Sequence, residues 1–128
     1  MRIMFQVVAF DAADLDAESS FWAGVLDGTV DAEERWHMVM VDGVPRVGVQ
    51  LAPDHVPPDW PDGAPPQQIH LDLWVEDFEA AHERVMSLGA KLLKPQRTAI
   101  RRTASRSTRT RPGILSAFAG SNRVRRKR

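Results

Sequence analysis

The chain has no cysteine. That excludes a disulfide framework, a thiolate zinc site and a thiol nucleophile. No apolar run approaches the ~18 residues a membrane-crossing helix needs. The opening "MRIMFQVVAF" has one Arg and a short apolar run but no small-residue cleavage site after it, so it reads as a first strand and not a signal peptide. The expected location is therefore the cytoplasm, with no membrane partner. Also missing are a Gly-rich phosphate loop, a nucleophile elbow and a Ser-His-Asp order of hydrolase type. Ser19 and Ser20 read as surface at the start of a helix.

Acids are absent from one end only. Residues 96–128 contain ten Arg and one Lys, and no Asp or Glu. Residues 1–95 hold all 17 acids and six bases, a net charge of −11. The formal neutrality of the whole chain is thus a cancellation between an acidic body and a basic tail. Apolar content of 43% is enough for a core, and 128 residues make one domain or two very small modules.

What is present has an order. "IMFQVVAF" is strand-like. In "DAADLDAESSFWAGVLDG", Asp14 or Asp11 caps a helix whose apolar face is Leu15, Phe21, Trp22, Val25 and Leu26, with Gly28 as its stop. "WHMVMV" and "RVGVQLA" read as a hairpin turning at Asp42-Gly43. Pro53 to Gln68 holds six prolines and is a linker. "QIHLDLWV" is a second strand start, with Ile69, Leu71, Leu73 and Val75 on one face and His70, Asp72 and Trp74 on the other. "EDFEAAHERVMSLG" is a helix with Phe78, Ala81, Val85 and Leu88 along one side, and "AKLLKP" begins another strand. Strand–helix–strand therefore occurs twice. A shift of 63 residues sets Val7 on His70, Asp14 on Asp77 and Leu15 on Phe78, and one residue of slippage sets "LDGTV" on "LGAKL".

Two such units, carried by "FQVVAFDAADLDAESSFWAGVLDG" and "QIHLDLWVEDFEAAHERVMSLGAKLLKP", resemble the vicinal oxygen chelate superfamily of glyoxalase I, bleomycin-resistance proteins and extradiol dioxygenases. More narrowly, the chain resembles small glyoxalase-like domains of actinobacterial type. The resemblance covers residues 1–95 and stops there. It implies an α+β fold of two βαβββ modules forming a cup-shaped mixed sheet with helices outside. Module one is residues 1–52, the linker 53–67 and the start of module two 68–95. Module two is left incomplete, followed by a partly disordered tail over 96–128.

Such domains usually end in a segment like "FQVYADPAGHPFCL". Restoring one base before the Gln96 codon lets the tail read "AANRDPADGFQVYADPAGHPFCLCR" with permissible codons. The tail is accordingly expected to be a frameshift product. A genuine tail would bind phosphate backbones through counterion release. However, it lacks interleaved aromatics, having only Phe118, and no DNA-binding motif accompanies it.

The resemblance places metal ligands on the first and last strand of each module. Val7 stands at the first position and cannot ligate. Gln50 stands where Glu is common, His70 matches, and the fourth position falls beyond Pro95, where even the restored frame offers Cys. One ligand in four implies no tightly bound metal. The expected site is the cup face near Trp36, Gln50, His70, Asp72 and Trp74, binding a small molecule, aromatic ones included. His37 reads as partly exposed strand surface, His55 and His82 as solvent-facing, and Trp60 as a lid or dimer contact. A homodimer is expected. The alternatives are a metal-dependent lyase, isomerase or dioxygenase of the same fold, which needs partners for His70, and a nucleic-acid-interacting protein, which needs a genuine tail.

Overall fold

The computed structural model describes residues 1–58, 65–66 and 69–92, and the backbone of 113–118 and 123–127. The first module runs β1 (Val8–Ala12), α1 (Leu15–Leu26), β2 (Thr29–Ala32), β3 (Trp36–Val41) and β4 (Val44–Leu51). Its sheet has the order β1-β4-β3-β2, with β1 parallel to β4 and the other pairs antiparallel. The hairpin between β3 and β4 turns at Asp42 and Gly43, both at positive φ (50° and 74°), as a two-residue turn matched to strand twist requires.

β1 begins later than the sequence pattern suggests. Its parallel ladder starts at Val8 opposite Val47. Met1, Ile3, Met4 and Phe5 lie outside it and are exposed. The residue before Val47 is Arg46, which is bulged, so the ladder has no regular partner to continue on. β2 is short and almost wholly exposed, with too little apolar alternation to be legible as a strand.

The second module runs β5 (His70–Val75), α2 (Phe78–Ser87), β6 (Lys91–Leu92), β7 (Gly113–Phe118) and β8 (Arg123–Lys127). The two modules match closely through their first halves. Asp14 and Asp77, 63 residues apart, both cap a helix: the Ala17 amide donates to Asp14 Oδ1 at 3.0 Å and the Ala80 amide to Asp77 Oδ1 at 3.1 Å. Both helices also end alike. Asp27 (φ 54°) and Gly89 (φ 92°), 62 residues apart, take the left-handed conformation. The next amide reaches back across the turn in each case, Gly28 to the Ala23 carbonyl at 2.9 Å and Ala90 to the Val85 carbonyl at 3.1 Å.

Gly28 was the expected left-handed stop of α1, but Asp27 takes that role. Gly28 is used for close approach instead, since a Cβ there would stand 2.4 Å from the Met40 carbonyl oxygen. Replacing Asp14 or Asp77 by Ala is expected to cost about 1 kcal/mol each, measurable as a lowered denaturation midpoint with unchanged slope.

The likeness between modules ends after β6. The second sheet has the order β5-β7-β8-β6. β7 runs antiparallel to β5 and β8 parallel to β6, whereas in the first module the last strand, β4, runs parallel to β1. The two C-terminal strands thus stand in each other's places relative to the first module.

One core serves both modules. Phe10, Ala12, Val39, Val47 and Val49 from the first sheet pack with Leu15, Phe21 and Trp22 of α1, and the cluster continues into Phe78, Val85 and Ala90. Trp22 is fully buried between Phe10 (ring centroids 5.1 Å apart) and Phe21 (5.5 Å). The helices meet where Gly24 leaves room for Leu88, and Arg84 Nε donates to the Gly24 carbonyl at 3.3 Å. Among the described residues, no helix is long and apolar enough to cross a membrane.

Candidate functional site

Strand alternation decides which side chains of the first sheet are free to meet a ligand. Phe10, Ala12, Val39, Val47 and Val49 are spent on the core. Ala9, Asp11, Trp36, Met38, Gly48 and Gln50 therefore belong to the other face. Pairing places Asp11 opposite Gln50 and Gln50 opposite Trp36, one row across three strands. The next row is Ala9, Gly48 and Met38. Gly48 has a specific reason to be glycine: a Cβ there would stand 2.3 Å from Cζ2 of Trp36. The six-membered ring of the half-buried Trp36 rests on the Gly48 backbone, with a carboxylate and an amide in its own row.

On the second sheet, His70, Asp72 and Trp74 share one face of β5, while Leu71, Leu73 and Val75 pack toward the core. His70 Nε2 lies 3.7 Å from Asp72 Oδ1, with side-chain exposures of 49% and 24%. At that distance the carboxylate attracts the imidazole when it is protonated and biases its orientation. Trp74 is 76% exposed.

The five residues expected at the site therefore fall into two groups on two sheets. Trp36 and Gln50 form a cross-strand pair, and His70, Asp72 and Trp74 share one strand face. Asp11 and Gly48 complete the first group. Alternation from Phe10 and Ala12 signals Asp11, but Asp11 also reads as an N-cap, and that reading masks it.

The donor set does not fit a metal. Among the described residues, no group of three or more His, Asp or Glu side chains is placed to hold one. Val7 offers hydrocarbon, Gln50 a neutral amide, and His70 gathers one carboxylate.

Three histidines and a serine lie elsewhere than expected. His37 faces α1 and is 6% exposed, because it shares the face of Val39 and not that of Trp36. Its Nδ1 is 2.8 Å from Ser19 Oγ, and Ser19 is 1% exposed. Ser19 is thus core and not helix-start surface. His37 Nε2 lies 3.9 Å from Asp16 Oδ1, yet the Asp16 side chain is 94% exposed. This is a Ser-His-Asp grouping in composition only, since no substrate reaches a hydroxyl sealed under a helix. His55 and His82 are half-buried, each with one buried ring nitrogen, and His82 stacks on Phe78 at 6.0 Å. Trp60 lies outside the described residues.

The sequence profile of the glyoxalase-like domain matches residues 7–108. The chain belongs to the glyoxalase-like domain family. No curated protein matches it in sequence. Among solved structures, this glyoxalase-like chain is similar to the fosfomycin resistance protein FosX from Listeria monocytogenes, at 11% identity over 98% of this chain and 89% of that one, with a TM-score of 0.54. It is also similar to a bleomycin resistance determinant encoded on transposon Tn5, at 12% identity over 97% and 95%, with a TM-score of 0.49. At such identity the FosX likeness speaks for the fold alone. The glyoxalase-like fold agrees with the α+β pattern read from the sequence.

Proposed function

We propose that this glyoxalase-like domain protein binds a small molecule, aromatic ones included, on the face of its sheets opposite the helices, without a tightly bound metal. Trp36, Gln50, His70, Asp72 and Trp74 are the residues proposed to meet it. The observation that carries the reading is Trp36 resting on Gly48 beside Gln50 and Asp11. It is a flat apolar platform with polar groups at its margin, the usual composition of a small-molecule site. The resistance proteins of similar fold make bleomycin and fosfomycin reasonable first probes. The protein is further proposed to work in the cytoplasm as a homodimer.

The test is a titration followed by the NMR signals of the four indole N–H groups. Saturable shifts of the Trp36 signal are expected with a binding probe. Trp36→Ala should weaken binding at least about tenfold, as loss of an aromatic platform commonly does. Elemental analysis of the same sample should find no stoichiometric divalent metal. About one metal per chain, or full binding by the Ala variant, would refute the reading.

We infer further that residues 96–128 arise from a shifted reading frame. Two observations support this: the codon text of the tail restores the family ending, and the likeness between modules is lost in the strands encoded after Pro95. Resequencing the gene across the Pro95 codon tests it, with one additional base as the expected result.

A further inference from the structure

The ladder between β3 and β4 breaks at one place. Val39 pairs with Val47 and Met40 with Pro45, which leaves Arg46 as an extra residue on β4. Strict alternation would put Arg46 on the face of Gly48 and Gln50. A bulge re-aims the side chain it carries. Arg46 here joins Val47 in lining a cleft of about 280 Å³, whose other walls are Leu26, Val41 and Leu71. Val47 is turned toward α1, away from Trp36, so this cleft is separate from the face described above. It lies where the end of α1 and the hairpin of the first module approach β5 of the second.

Four of the five lining side chains are hydrocarbon. The fifth is a permanent cation in a body of net charge −11. No ion pair engages Arg46 among the described residues. An acidic surface disfavours anions in general, so a lone guanidinium at an apolar cleft selects an anion that also brings apolar surface. We propose that the cleft is a second binding site, taking a small carboxylate with an apolar body, its carboxyl held by the forked donors of Arg46. The volume sits near the lower end of the usual range of ~300–1,000 Å³, which limits the body to a short chain or a single ring. The proposal does not depend on the Trp36 face being a ligand site.

The probe is octanoate, with 1-octanol as its uncharged counterpart, titrated calorimetrically into the full chain and followed by amide NMR shifts. Octanoate is expected to bind saturably and to move the amides of Val41, Val47 and Leu71. Arg46→Met keeps the apolar stem and removes the charge. It should weaken octanoate at least tenfold and leave octanol unchanged. Arg46→Lys keeps a point charge without the fork and should fall between. Because Arg46 is exposed, thermal melts of both variants should match the parent, and the Lys variant keeps the test valid should the Met variant melt lower. Trp36→Ala should bind octanoate as the parent does. The proposal is overturned by absence of saturable octanoate binding, by equal affinity in Arg46→Met, or by loss of octanoate binding in Trp36→Ala.

Discussion

Restoring one base before the Gln96 codon is expected to raise the melting temperature by about 10–20 °C and to sharpen the transition. The restored "FQVYADPAGHPFCL" supplies two strands with roughly six to eight inward apolar side chains, at about 1.5–3 kcal/mol for each one fully buried. Gross burial is then on the order of 10–20 kcal/mol, and ordering the added strands offsets much of it. A net gain of a few kcal/mol remains, and each is worth about 4 °C in a domain of this size. In the chain as it stands, β7 contributes the one apolar run, "ILSAFA", and β8 reads "RVRRK". Burying arginines without partners is too costly for β8 to add a core face of its own. Differential scanning calorimetry of the two chains decides this. Equal melting temperatures and equal cooperativity would show that the tail is a working part of the fold.

Trp22→Ala is expected to leave the first module unfolded or molten at 25 °C. Trp22 is fully buried, contacts the rings of Phe10 and Phe21, and its Nε1 donates to Glu18 Oε1 at 2.8 Å. Removing a buried aromatic of this size costs about 3–5 kcal/mol. Losing the indole donor adds to that, because Glu18 is itself buried at 6% exposure. Against a net stability of about 5–15 kcal/mol, little is left. Trp22→Phe should recover most of the packing and show what the indole hydrogen bond contributes. Near-ultraviolet circular dichroism and urea melts read both variants. A Trp22→Ala protein with the parent's midpoint would show that the core is not centred on α1.

Several features were legible because a single residue type answers a single local demand. Asp14 and Asp77 were legible as caps because a carboxylate ahead of an apolar helical stripe has few other uses. Asp42-Gly43 was legible because two successive positive φ angles require such residues. The two faces of β5 follow from alternation alone. The features that were missed depend on tertiary context. The start of β1 is set by where β4 bulges, which a strand pattern cannot reveal. Asp27 and not Gly28 turns left-handed because Met40 presses on Gly28 from β3. His37 and Ser19 are both polar, and only the docking of α1 on β3 makes them a buried pair. Asp11 had two credible roles in sequence, and strand pairing selects the sheet face. Gly48 reads as an ordinary strand glycine until Trp36 is placed on it.

The second module is taken to be a copy of the first, completed only in the restored frame. Backbone nuclear Overhauser contacts in the frame-restored chain test this most directly. In the first module the last strand runs parallel to the opening strand, Val8 opposite Val47 through Ala12 opposite Leu51. The restored C-terminal strand should likewise give the evenly spaced contacts of a parallel ladder with His70–Val75. Short Hα–Hα contacts across that pair, the mark of an antiparallel arrangement like that of β7 with β5, would contradict it.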